Sequence, residues 1–200
     1  MSVLGRDRIK AMMKAPQLRD RLIVTPIIED KQIGAGSIDI RLANEFLVVR
    51  RGNVDIIDPA RKDIESQRTQ SRHLVNFGRP FYLHPSELVL ASSLEYVRLP
   101  KTISASVTTR SRWGRVGLVI ATATAVHPGW TGAITLELLN HGEVPLALYP
   151  GISVAQIVLY ETKDAPLYVG RFSHQTGPKA GDVRADQDDL DFWTDIKQHP

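Results

Sequence analysis

The sequence predicts an all-β fold with one short helix at its start. Two observations carry that reading. From Ser37 onward the apolar residues recur with a period of two, as on a strand with one buried face. From Phe81 onward, short runs rich in β-branched residues alternate with proline and glycine. Many short strands at such spacing close into a barrel or pack as a two-sheet sandwich. A chain of 200 residues, 42% of them apolar, can fill one such core, and no repeat or composition break marks a second.

Between residues 6 and 14, Ile9, Met12 and Met13 fall at i, i+3 and i+4 among charges, the stripe of a short amphipathic helix. Ser37–Leu42 alternates polar and apolar and is expected to be a half-buried strand. Phe46–Val49 follows as a second strand, and Arg51-Gly-Asn53 supplies turn chemistry. Residues 60–72 are polar and are expected to form a loop. Further strands are expected at Glu87–Ala91, Ile103–Thr109, Leu118–Ala123, Ala133–Leu139, Leu146–Leu148 and Val154–Tyr160. Pro85, Pro100, Pro128-Gly129, Pro145 and Pro150-Gly151 punctuate them. One domain is therefore expected over residues 1–177. Residues 178–200 form an acidic tail, with five aspartates against one arginine between Asp182 and Asp191. Such a composition solvates, and orders against a partner or ligand if at all.

The chain has no cysteine, which excludes disulfides, a thiol nucleophile and cysteine-ligated zinc. It also excludes the zinc-deaminase arrangement, whose metal needs a Cys-x-x-Cys pair. His73, His84, His127, His141, His174 and His199 are scattered without metal-ligand spacing, so no resident metal site is expected. A net charge of +3 is too small for a nucleic-acid groove. The N-terminus lacks an apolar signal core, and no window has membrane-spanning length; a soluble cytoplasmic protein is the expectation.

The most informative segment is Arg110-Ser-Arg-Trp-Gly-Arg-Val-Gly-Leu118, three arginines within six residues beside two glycines. Arg110 and Arg112 lie two apart at the end of a strand and are expected to share a face. Arg115 follows Gly114, where the backbone can approach a ligand. Guanidinium donors match phosphate oxygens in pairs, each charge-assisted bond contributing roughly 1.5–3 kcal/mol, and Ser111 adds a hydroxyl. Two or three arginines on one triphosphate would give micromolar affinity. The same residues also suit a solvated surface turn, because no Walker-type loop is present. Spacing alone leaves both open.

Downstream, Ala133-Ile-Thr-Leu-Glu-Leu-Leu-Asn140 places Ile134, Leu136 and Leu138 on one strand face and Thr135, Glu137 and Leu139 on the other. Both faces are largely apolar, so cover on both sides is expected. A carboxylate there either pairs with one of the many arginines or has its pKa raised by desolvation, as a general base near neutral pH requires. Spacing leaves this pair of readings open too.

Several blocks, in order, resemble the dCTP deaminases, which share a superfamily with the trimeric dUTPases. They are Gly36-Ser-Ile-Asp-Ile-Arg-Leu42, Phe81-Tyr-Leu-His-Pro85, Ser93-Leu-Glu-Tyr-Val-Arg-Leu-Pro100, Arg110 to Leu118, Pro128-Gly-Trp-Thr-Gly132, Leu136-Glu137 and Tyr149-Pro-Gly151. The resemblance implies a distorted, jelly-roll-type β-barrel assembled as a homotrimer with active sites between subunits. It implies zinc-independent hydrolytic deamination of dCTP to dUTP and ammonia. Glu137 would be the general base, Ser111 would position the water, and Arg115 would hold the phosphates and assist the site.

By the same resemblance Arg110, Ser111, Arg112 and Arg115 would line the polyphosphate, and Thr135, Leu136 and Glu137 would edge the base pocket. His127 would face the sugar. Gln156, Tyr168, Arg171 and Gln175 would contact the nucleotide, the last three from a C-terminal segment that closes over the triphosphate. Magnesium would arrive with the nucleotide, held by phosphate oxygens. The chain departs from the family at His127, where an acidic residue is usual, at Arg112, where a small hydroxyl residue is usual, and at Ala125, where a larger residue is common. In dUTPases the catalytic aspartate falls at the His127 position. Two alternatives to deamination follow: dUTP diphosphatase activity, alone or after deamination, and a silent nucleotide-binding sensor.

Overall fold

The chain enters through α1 (Arg6–Met13), whose apolar stripe drops Ile9 and Met12 into the core. The computed structural model describes residues 2–49, 70–121, 125–163, 165–168, 170, 172–181 and 188–192. After a turn come β1 (Ile23–Thr25), the single-turn helix α2 (Glu29–Gln32), β2 (Ile38–Arg41) and β3 (Glu45–Val49). The remaining strands are β4 (Gln70–Leu74), β5 (Phe81–Leu83), β6 (Leu88–Arg98), β7 (Ile103–Thr109), β8 (Leu118–Ile120), β9 (Thr131–Asn140), β10 (Leu146–Leu148) and β11 (Ser153–Glu161). A second single-turn helix, α3 (Ser111–Gly114), joins β7 to β8.

Among the described residues the strands form three sheets around one core. The largest runs β4-β3-β6-β9-β8, with β1 also on β6; β2-β11-β7 and β10-β5 are the others. The inner faces meet on Ile38, Ile40, Phe46, Leu83, Ile103, Leu118, Leu136, Ile157 and Leu159, all at or near zero exposure. Hydrogen bonding passes between the sheets through bridges such as Leu42–Ser93 rather than along a continuous ladder. The result is the expected all-β, distorted barrel. No described helix is long and apolar enough to cross a membrane.

β8 ends at Ile120, short of the expected Ala123, and β9 begins earlier, at Thr131; two larger differences have clear physical reasons. The run expected to end at Ala91 continues to Arg98, because Ser92-Ser93 spans a register irregularity instead of a turn. Ser93 Oγ accepts from Ile134 N (2.8 Å) and donates to Glu95 O (2.6 Å), so the hydroxyl restores bonds that the irregularity would cost. Residues 70–72, expected in a loop, belong to β4, an edge strand with a wet face whose polar composition hides its period. The turn expected at Arg51-Gly-Asn53 and the rest of the loop lie outside the described residues.

The hub of the fold is a carboxylate. Glu95, wholly buried on β6, accepts from Arg41 Nε (2.7 Å), Arg41 N (2.9 Å) and Gln32 Nε2 (2.8 Å). Arg41 Nη2 also donates to Pro26 O, and Gln32 Nε2 also to Asp39 O. This network fastens α2 and β2 to β6.

Candidate functional site

The arginine segment is built by a very tight connection. Arg110 N donates to Val154 O (2.9 Å) at the end of the sheet, and Arg110 O then accepts from Trp113 N and Gly114 N, starting α3. Trp113 Nε1 donates to Ser153 O (3.0 Å), and Ile120 N donates to Thr109 Oγ1 (2.9 Å), closing the connection at both ends. The bend comes at Gly117, with φ +93°, where a Cβ would stand 2.5 Å from Gly142 N. It does not come at Gly114, which is helical.

Arg110 and Arg112 therefore do not share a strand face, since β7 ends at Thr109 and Arg112 lies within α3. Arg110 Nη2 pairs with Asp39 Oδ2 at 3.0 Å. Arg112 reaches Ser153 O (3.3 Å) and lies over the Trp113 ring. Ser111 and Arg115 are exposed. Asp39, on β2 in register with Gln156, joins this cluster although the sequence showed it only as the polar half of an alternating strand. Burial pushes its carboxyl up, and Arg110 and Arg112 partly oppose that shift. Gln156 accepts from Ser37 Oγ at 3.5 Å. The turn is thus a cationic ledge with one partly desolvated acid behind it.

Glu137 lies on β9. Its alternation is as expected: Ile134, Leu136 and Leu138 are buried, while Thr135, Glu137 and Leu139 are half-buried. One face is therefore fully buried and the other only partly covered, short of the expected cover on both. Leu136 can meet a ligand only through its main chain, because its side chain is in the core. Glu137 stands opposite Leu90 on β6, and its carbonyl accepts from Ala121 N (2.9 Å) on the other side. Burial pushes its carboxyl above the usual glutamate range. The direction suits a base that must hold a proton transiently.

The C-terminal segment docks on the same strand. His174 N donates to Thr131 O (2.6 Å), Ala133 N to Gln175 O (2.8 Å), and Gln175 Nε2 to Ala133 O (2.8 Å) and Thr135 Oγ1 (2.9 Å). Tyr168 stacks on His127 at 5.6 Å and 13°, touches Trp130 at a tilt, and donates its N–H to Pro128 O. Gly132 admits the segment, since a Cβ there would meet Gln175 N at 3.1 Å. The structure thus brings Thr135 to Gln175 and His127 to Tyr168. Ala125 is exposed, while Arg171 and residues 122–124 lie outside the described residues.

The family model described as dCTP deaminase-like matches residues 3–162. A protein of Methanosphaera stadtmanae named "dCTP deaminase, dUMP-forming" is 38% identical over 94% of this chain and 97% of its own length. A protein of Halorubrum lacusprofundi named "dCTP deaminase" is 39% identical over 88% of this chain and 89% of its own. The crystal structure of 2'-deoxycytidine 5'-triphosphate deaminase from Agrobacterium tumefaciens superimposes with a TM-score of 0.62 at 20% identity. That match covers 80% of this chain but 48% of the longer one, and it speaks to the fold alone. With the barrel, the arginine turn and the acid on β9 in place, the chain belongs to the dCTP deaminase-like family.

Proposed function

We propose that this protein deaminates dCTP hydrolytically, dCTP and water giving dUTP and ammonia. Glu137 takes a proton from water as its oxygen attacks C4 of cytosine, and the 4-amino group leaves as ammonia with that proton returned. Ser111 positions the water, and Arg110, Arg112 and Arg115 bind the triphosphate, with Arg115 also assisting the site. His127 and Tyr168 flank the sugar, Thr135 and the Leu136 main chain edge the base, and Gln156, Arg171 and Gln175 complete the nucleotide contacts. Magnesium enters on phosphate oxygens; a ledge whose donors are guanidinium groups suits such an anion-borne ion. The observation that carries the reading is the place of Glu137, half-buried on the less covered face of β9, where burial pushes its carboxyl up.

The assembly proposed is a homotrimer. Leu88 (41% exposed) and Val119 (40% exposed) both pair with Leu139, two residues beyond Glu137 on the same face. A second copy seated on that apolar row would supply the cover that this face of β9 lacks. Sedimentation or light scattering checks the mass.

A second reading, release of dUMP and pyrophosphate, is favoured by the names of several relatives, which are "dUMP-forming". Against it stands His127, at the position where the resemblance puts the carboxylate that activates water toward phosphorus. Purified protein incubated with dCTP and magnesium separates the readings: ammonia with dUTP supports the first, ammonia with pyrophosphate the second. Binding that raises Tm with no turnover would sink both.

A further inference from the structure

Two buried polar atoms on the Glu137 face have no hydrogen-bond partner among the described residues: Ser92 Oγ and Gln175 Oε1. They lie around one residue. Ser92 is the register partner of Thr135 across β6 and β9, so the two side chains share a face. Leu90, two residues before Ser92, pairs with Glu137, which places Glu137 on that face as well. Gln175 reaches Thr135 from above, through Nε2 to Oγ1 at 2.9 Å. Ser92 itself has zero exposure, and its neighbour Ser93 is fully bonded within the strand irregularity.

A buried hydroxyl and a buried amide oxygen left without partners would each be costly, and two such atoms beside one residue, Thr135, point to a shared partner. The chemistry of the pair is complementary to one small molecule. Gln175 Oε1 can only accept, and the Ser92 hydroxyl can donate or accept. A molecule that donates to the first and exchanges a hydrogen bond with the second satisfies both, and water is the smallest that can.

We propose that Ser92 and Gln175 hold one buried water on the Glu137 face, and that this water fixes the Gln175 amide so that the C-terminal segment stays on β9. Ser92 is then a positioning residue that acts through Gln175. With Oε1 bound to water, Nε2 is committed to Ala133 O and Thr135 Oγ1; without it the amide can turn and the segment's dock loosens.

The sign of a substitution decides. Removing a hydroxyl that is truly unpartnered is neutral or stabilising, whereas removing one that is wired to water is destabilising. Ser92→Ala is therefore expected to lower Tm and to speed amide exchange in residues 172–177 and at Ala133, whose N–H donates to Gln175 O, by about two- to tenfold, leaving exchange in the rest of β9 and in β11 unchanged. Gln175→Ala is expected to speed the same amides, and the double variant to do no more than either alone. A crystal structure should show water within hydrogen-bond distance of both atoms. Additive effects, a Tm that rises in Ser92→Ala, or a crystal lacking that water each overturn the proposal. If the protein turns over dCTP, Ser92→Ala should raise KM several-fold with little change in kcat. That last arm alone rests on the proposed function: a wild type inactive on dCTP defeats the function and leaves the water site standing or falling on the other measurements.

Discussion

Two Leu-Glu pairs lie on adjacent strands of one sheet, Leu94-Glu95 on β6 and Leu136-Glu137 on β9, and the fold uses them in opposite ways. Glu95 is wholly buried and accepts hydrogen bonds from a guanidinium, a backbone N–H and an amide. Glu137 is half-buried, and the cause of its raised pKa is desolvation. Depth of burial therefore does not mark the acid proposed as the base. Glu95, met by three donors, fastens the fold, and Glu137, whose carboxyl burial pushes up, is the acid proposed for proton transfer. The comparison predicts that the two residues fail differently.

The largest effect is expected at Glu137. Glu137→Gln keeps shape and hydrogen-bonding reach but removes the base, so kcat on dCTP should fall by about 10³-fold or more, within the range for general-base catalysis, with Tm nearly unchanged. Glu95→Ala should do the reverse. Breaking a buried pair strands the Arg41 charge, and loss of a partner in such pairs costs about 3–5 kcal/mol, here a Tm drop of roughly 10 °C by calorimetry. An unfolded Glu137→Gln or a thermally silent Glu95→Ala would break the comparison.

That contrast also marks how far the sequence could be read. Ile103–Thr109 and Leu146–Leu148 are strands with the expected bounds, because each is a clean run of β-formers between turn residues. β4 was hidden, since an edge strand that pairs on one side tolerates polar residues that also suit a loop. The two faces of β9 were legible from alternation, but their unequal cover was not, since cover depends on what the rest of the chain places above. Glu95 and Asp39 were invisible as partners for the same reason: the residues that meet them, Arg41, Gln32 and Arg110, come from 54, 63 and 71 positions away. The arginine turn is legible in composition but not in geometry, because a single helical turn of Ser-Arg-Trp-Gly carries too few residues to show a period.

A smaller effect is expected at the ledge. Arg110 is balanced by Asp39 at 3.0 Å, whereas Arg115 is exposed. If both bind phosphate, Arg110→Ala should cost less than Arg115→Ala, because Arg110 already gives part of its hydrogen-bonding capacity to Asp39 and so grips phosphate less strongly. Increases in KM of about tenfold for Arg110→Ala, and larger for Arg115→Ala, are expected from the strength of charge-assisted bonds. Asp39→Asn sharpens the point: it frees Arg110 for phosphate and should lower KM. A rise in KM would show that Asp39 holds Arg110 in its working position.

The smallest effect is the most diagnostic for Glu137. Its folded-state pKa is raised above the unfolded value, so the stability it contributes is present below the ordinary glutamate range and is lost as pH rises through the raised folded value. Activity runs the other way, because only the ionised carboxylate accepts a proton, so kcat should climb across the same window. Stability falling while turnover rises over one pH interval is the signature of a desolvated base. The thermal part should be only about 1–2 °C, since a half-buried group is screened by solvent, and Glu137→Gln should flatten it. Should the acid limb of kcat fall at the ordinary glutamate value while Tm stays level, desolvation does not govern Glu137. The site of proton transfer must then be sought elsewhere on the β9 face.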